Sequence, residues 1–431
     1  MKFTPSTRVC VLGAILCAAL VICSRNLGDR GGPPFIASLA ASGIAYLLAI
    51  REFFAASKFP RRVVVAGLAL AALWHLPFLW APSAPDDDVH RYVWDGRLQR
   101  LGYNPYVVVP SDPAVSGLHT AETRGLNNPD VPSPYPAGAQ LFFRAVTAIH
   151  ESTFALKVAF VVCDFAIAFL LLDVLRREER GAHWVLAYAW NPLLAVEVAG
   201  SGHIDILGAL LLLVSFAALG RRWRATAALG FALAVAVKFL PVVLLPLYWK
   251  RVRIHDALFA AAVVALLYVP FLNHGIPIGS VGTYVQIFRF NNPVFGNIER
   301  VAPLQFAAGL AVLAGFITAI CLRTRSPECS PAAFAWPMAA SLLCAPVVYP
   351  WYLLWLLPFS RSASTMPIIV WTVSIIPTYM VWHWRTLGGP WMVPGWTTLL
   401  EYGSVVIAGV LSAARRRSRL AVSQCSMDPA G

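Results

Sequence analysis

A chain of 431 residues that is 58% hydrophobic and 13% charged is not an ordinary soluble domain, in which about a quarter of residues carry charge. Its 15 Trp and 24 Phe suit interfacial belts and lipid-facing surfaces, so composition predicts an all-α polytopic membrane protein. The net charge of +13 does not indicate a nucleic-acid partner, because Lys and Arg gather between apolar runs as the positive-inside rule expects.

The first apolar run, residues 9–23, follows Lys2 and Arg8 like a signal peptide. No small-x-small site precedes Ser24 and Leu20–Cys23 is a poor lipobox, so an uncleaved helix is expected. Spans at 34–50 and 63–81 follow, with Arg51, Lys58, Arg61 and Arg62 between them. That loop is therefore expected in the cytoplasm, and residues 82–153 outside. The eight Cys show no metal-ligand spacing and read as packing residues, not a disulfide framework.

The outer segment opens on Asp86-Asp87-Asp88-Val89-His90-Arg91, the most polar stretch beside any membrane-length run. As a helix it places Asp88, Arg91, Asp95 and Gln99 on one face. Gly102 is a plausible C′ residue and Pro105 stops any continuation. One acid is enough for an N-cap; three, with Arg91 and Asp95 on the same side, read as a site. Residues 139–149 are apolar but too short to span, which predicts an interfacial or re-entrant helix.

Further spans are expected at 154–175, 183–199 and 206–219, with a tight outer turn at Gly200-Ser201-Gly202-His203-Ile204-Asp205. Across 225–248 a single crossing would put Lys250, Arg251 and Arg253 outside. Two half-helices broken near Lys238 and Pro241 keep them inside. A span at 257–272 leads to a second outer loop, 273–302, and four more spans lie at 303–321, 331–347, 366–385 and 396–414. Arg415, Arg416, Arg417 and Arg419 place the C-terminus inside. The whole of 1–431 reads as one integral membrane domain of about 11–14 helices, with no soluble domain, collinear repeat or nucleotide motif.

Ionisable groups at membrane depth are expensive and mark function. On the outer side stand Asp87 and Asp88 with Arg91 and Asp95, then Glu197, His203 and Asp205, Lys238, Arg289, and Tyr349 with Trp351. Together they suit transfer of a sugar from a lipid phosphate. A carboxylate takes the acceptor proton, cations meet the charge growing on the departing phosphate, and aromatic rings stack on the sugar. Duller readings are helix caps for Glu197 and Asp205, a bonded turn for His203, a snorkelling Lys238, a headgroup-level Arg289 and an aromatic belt for Tyr349 and Trp351. The rival function is a transporter or flippase of lipid-linked sugars, which should pair charges near the bilayer midplane within inverted repeats. A scaffold of envelope assembly is a third reading.

The stretch Asp87–Arg97 through Gly102-Tyr103-Asn104-Pro105-Tyr106 resembles the first outer loop of the GT-C superfamily, and within it the bacterial polyprenol-phosphate-mannose-dependent mannosyltransferases. Tyr135-Pro136 with Gln140, Trp190-Asn191-Pro192, the turn at 200–205, Lys238-Phe239-Leu240-Pro241, Phe288-Arg289-Phe290-Asn291 and Pro350-Trp351-Tyr352 are similar blocks. Ala137 stands where that family often has a second proline. The resemblance implies a GT-C-like bundle whose long first outer loop is catalytic, in the plasma membrane with its active site facing the exterior or periplasm. It implies a polyprenyl-phosphate sugar donor, a lipid-linked or glycan acceptor, and usually inversion. The base would be Asp87 or Asp88. Asp95, Glu197, His203 and Asp205 would bind sugar or acceptor, with Tyr135, Tyr349 and Trp351 beside them, and Arg91, Lys238 and Arg289 would meet phosphate. Some relatives use a divalent cation (Mg or Mn), which three adjacent aspartates are able to hold. The expected sugar is a hexose, mannose ahead of the alternatives arabinose and glucose.

Overall fold

The computed structural model describes residues 4–84, 86–274, 277, 279–325 and 329–425, with side chains described as far as Arg415. Among these residues there is no strand, only a single bridge between Phe290 and Val347. The helices are α1 (Pro5–Arg25), α2 (Pro33–Ala55), α3 (Arg61–Trp80), α4 (Asp88–Arg100), α5 (Ala137–Ile149), α6 (Thr153–Arg177), α7 (Val185–Ala189), α8 (Asp205–Gly220) and α9 (Arg224–Val237). They continue as α10 (Ile254–Tyr268), α11 (Val281–Ile287), α12 (Pro293–Glu299), α13 (Leu304–Arg325), α14 (Pro331–Leu343), α15 (Met366–Ser374), α16 (Met380–Thr386) and α17 (Gly395–Cys425).

Local chemistry sets many boundaries. Thr4, Ser152 and Ser330 cap α1, α6 and α14 through their hydroxyls, and Pro5, Pro33 and Pro331 start helices where a missing N–H costs nothing. α4 ends as expected: Gly102 takes φ 86°, and the Tyr103 and Gly102 N–H groups return to the Leu98 and Gln99 carbonyls.

Eight helical stretches are long and apolar enough to cross a membrane, or nine if the π-helical turn Leu194–Gly200 and α8, bent by 113°, count as one span. Helices α5, α9 and α14 are shorter apolar helices. With the eight or nine long spans they make up the lower end of the 11–14 membrane helices expected, some of them too short to cross fully. The run 183–199 breaks at Asn191-Pro192 into α7 and the π-helical turn, all buried in the bundle. The run 331–347 stops at Leu343.

The expected break at Lys238 is present. α9 rises to it, and a tight helical stretch, Leu240–Tyr248, returns. The Ser215 hydroxyl donates to the Ala227 carbonyl at 2.6 Å and lies 2.7 Å from the Tyr248 hydroxyl, so both legs of the hairpin end beside the same residue of α8.

Residues 86–153 pack as a folded segment. Tyr92 of α4 stacks on Phe143 of α5 at 4.3 Å, and Trp94, Leu98, Val115 and Leu126 form a small core of their own. Asn104 ties this segment to the Phe271 carbonyl at 3.0 Å. The basic loops meet at the opposite end of the bundle. There Arg8 pairs with Glu52, His183 meets the Phe53 carbonyl, Arg221 pairs with Asp173 and Arg361 with Glu178. The side chains of Arg416, Arg417 and Arg419 lie outside the described residues.

Candidate active site

A cavity of about 720 Å³ opens at the end of the bundle away from the basic loops. Three elements distant in sequence close it: the start of α4, the Lys238 break, and α11 with the strands of loop on either side. Its lining includes Asp86, Asp87, Asp88, Tyr135, His203, Lys238, Arg289, Tyr349 and Trp351, together with Arg30, Asn127, Tyr284, Trp382, Arg385 and Trp391.

The three aspartates separate in role. Asp87 is the N-cap residue of α4, yet its carboxylate does not cap the helix. It accepts from Arg30 at 2.6 Å and from the Ala84 N–H at 2.7 Å, with both ends of the ion pair almost fully buried. Burial opposes the Arg30 charge, but Asp87, Glu197 and Asp86 outweigh it and hold its pKa up. Asp88 is different: its side chain keeps 21% exposure, into the cavity. Asn127 donates to Asp88 Oδ1 at 2.7 Å and to the Asp86 carbonyl at 3.0 Å. A committed, buried carboxylate is a poor proton acceptor, and an exposed one held by a single amide is a good one. Of the two neighbours, Asp88 is thus the one whose carboxylate stays open to the cavity.

Arg91 and Asp95, expected to bind substrate, do not line the cavity. They pair at 3.0 Å, and Arg91 donates to the Asn128 and Val131 carbonyls. Asp95 accepts from Ser133 and, at 2.8 Å, from Gln140. Burial pushes the Asp95 carboxyl up, against the pull of Arg91, Ser133 and Gln140. The shared helical face is real, but beyond Asp88 it turns towards the following loop and α5. This network fixes α4 and so aims Asp88.

Glu197 and Asp205 stand one layer behind the lining. Lys238 is held at 2.8 and 3.0 Å by Asp205, which also accepts from Trp355 Nε1 at 2.7 Å. Lys238 Nζ lies 4.1 Å from the centre of the Tyr352 ring. Glu197 accepts from the Tyr379 hydroxyl and lies 3.1 Å from His203 Nε2. The His203 ring stacks on Trp351 at 4.0 Å, and Trp351 on Tyr349 at 4.3 Å, giving a continuous aromatic shelf. Burial, then the Asp88 charge, pushes the Tyr135, Tyr284 and Tyr349 hydroxyls far above the usual range, so these groups stay protonated.

Arg289 is anchored on Glu299 and on the Val285 and Phe288 carbonyls. Its loop is fixed by the bridge to Val347 and by Asn291, which donates to Glu401 of α17 at 3.0 and 2.9 Å. Sequence reasoning missed Arg30 and Arg385. The signal for Arg30 was its place in a turn on the same predicted side as Asp87; Arg385 sits beside Trp382, at the end of α16. Among the described residues no three His, Cys, Asp or Glu side chains are grouped as a metal would need.

The family model for the alpha-(1->6)-mannopyranosyltransferase N-terminal domain matches residues 30–252, just over half of the chain. The chain belongs to this family of membrane mannosyltransferases. No curated protein matches it. The matched region runs from Arg30 through Asp88, His203 and Lys238, and stops before the α11 wall, the Tyr349–Trp351 shelf and Arg385.

Proposed function

We propose that this mannosyltransferase moves a mannosyl group from a polyprenyl phosphate to a hydroxyl of a glycan or lipid-linked acceptor, in the α-(1→6) linkage named for its family, on the non-cytoplasmic face of the plasma membrane. The observation that carries this reading is the position of Asp88: a carboxylate with an open lobe, in a cavity also lined by Arg30, Lys238, Arg289, Arg385 and an aromatic shelf. Asp88 removes the acceptor proton as its oxygen attacks the anomeric carbon, and the bond from that carbon to the phosphate oxygen breaks with its electrons going to phosphate. Lys238, Arg289 and Arg385 face the charge that grows there. On this reading the anomeric carbon inverts, the acceptor oxygen entering from the Asp88 side as the phosphate departs from the other.

The apolar flank favours a lipid-borne donor. Val281, Val285, Ile287 and Phe288 of the α11 wall and Phe239 at the helix break border the cavity, and Ile287 is 67% exposed. A transporter needs a path to the other end of the bundle. Here the cavity floor is backed by buried Glu197, Tyr379, Asp205 and Trp355, bonded to one another or to the lining. By the positive-inside rule the basic loops are cytoplasmic, which puts the cavity on the far side.

The test is transfer of labelled mannose from polyprenyl-phosphate mannose by membranes containing the wild-type chain, compared with Asp88→Ala. Transfer by wild type and its loss in the variant is the expected result. Undiminished transfer by Asp88→Ala, or transfer only from a nucleotide sugar, would sink the reading.

A further inference from the structure

His203 is 1% exposed, lines the cavity, and makes no aligned hydrogen bond through either ring nitrogen. Burying such a group without partners costs free energy and calls for a reason. Its surroundings supply one. Nδ1 lies 3.7 Å from Asp88 Oδ2 and Nε2 lies 3.1 Å from Glu197 Oε2, so the imidazole stands between the cavity carboxylate and a wholly buried one. Stacking on Trp351 fixes the ring plane.

The backbone is built to hold this arrangement. Glu197 sits in a π-helical turn, a distortion common at functional sites. The chain then reverses so that the His203 N–H donates to the Glu197 carbonyl at 2.9 Å. Gly202 makes the reversal at φ 74°, where a Cβ would lie 3.0 Å from Lys157 and 3.2 Å from Val89. The Tyr379 hydroxyl, from the far end of the chain, orients the Glu197 carboxylate.

Resting on the mannosyl-transfer reading above, we propose that His203 is the terminal proton acceptor of the reaction. The acceptor hydroxyl gives its proton to Asp88 as the new carbon–oxygen bond forms and the carbon–phosphate-oxygen bond breaks. Asp88 passes that proton to Nδ1 and returns to a carboxylate. Glu197 keeps the other ring proton on Nε2 beforehand and balances the imidazolium afterwards. Arg30, paired with Asp87, places a positive charge that interacts with Glu197 behind the relay. Asp88 touches the acceptor; His203 acts through it, and Glu197 through His203.

The experiment measures kcat and KM for polyprenyl-phosphate mannose with the purified full chain and its His203→Gln, Glu197→Gln and His203→Ala variants. His203→Gln keeps size and polarity but cannot take the proton, and is expected to lower kcat about 10²- to 10³-fold with donor KM within about threefold. Glu197→Gln is expected to lower kcat about 10- to 100-fold. Added imidazoles should restore His203→Ala in order of their basicity, a readout that a merely structural role would not move. Rescue that follows the size of the added ring, or His203→Gln turnover within about threefold of wild type, would overturn the relay. If His203→Gln does not fold, the Glu197→Gln rate decides by the same threefold criterion. Loss of activity in Asp88→Asn with full activity in His203→Gln would remove the relay and leave mannosyl transfer standing. A wild-type chain inactive on this donor would remove both.

Discussion

At the scale of single residues, the same chemical type does opposite work depending on what surrounds it. Asp95 and Asp88 are seven positions apart on one helix. Asp95 is fully buried with Arg91, Ser133 and Gln140, whereas Asp88 opens into the cavity. Removing one partner of a buried pair strands the other, at a cost of about 3–5 kcal/mol. Asp95→Ala should therefore unfold at clearly lower temperature or denaturant in detergent, with any loss of turnover following the loss of folded protein. Asp88→Asn should do the reverse, cutting kcat by about 10²- to 10⁴-fold while the unfolding midpoint stays near wild type. A fully active Asp88→Asn, or an Asp95→Ala as stable as wild type, would show that the two roles have been exchanged. The sequence offered both as site residues because spacing reveals a shared face and not what packs against it.

At the scale of elements, α17 matters more than its exposed surface suggests. Only 11% of its apolar window is buried, yet Glu401 is wholly buried and takes hydrogen bonds from Asn291 and from Trp371 at 2.6 Å. Asn291 follows Phe290, which bridges to Val347, two residues before the aromatic shelf. Glu401, with the Tyr402 hydroxyl that donates to the Asn291 carbonyl at 3.1 Å, thus ties the Arg289 loop to α17. Glu401→Ala leaves two buried donors unpaired, each worth about 1–3 kcal/mol, and loosens that loop. Donor KM should rise several-fold with a smaller change in kcat, and Glu401→Gln should lie between. Equal KM values for all three proteins would mean that the bridge to Val347 and the Tyr402 bond hold the loop without Glu401. Elements with a local signature were legible in the sequence: α4 from its acids and Gly102, the Lys238 hairpin from its charge and Pro241, and α5 from its length. Arg30, Arg385 and Glu401 were not, because each reaches its partner through tertiary docking of segments 57 to 110 residues apart or by lining a cavity that no single stretch encodes. The run at 183–199 misled because continuous apolarity looks the same in a crossing helix and in buried, broken turns.

At the scale of the whole molecule, charge and chemistry divide between two ends. Arg221, Arg361, Arg8 and their acidic partners gather at one, and the cavity opens at the other. The even spread of Lys and Arg among turns on one side is what orients a chain during insertion. Orientation also constrains chemistry: under the proposed function, a donor carried on a lipid would have to reach the site from the leaflet that the cavity faces. In a full-length chain with its native Cys replaced, Ser116→Cys reports the loop after α4 and Arg224→Cys the start of α9, both exposed. A membrane-impermeant maleimide added to intact cells should label Ser116→Cys at once and Arg224→Cys only after permeabilisation. The reverse pattern would place Asp88 on the cytoplasmic side, where a donor flipped to the outer leaflet is out of reach, and the proposed reaction would then need an inward-facing lipid sugar.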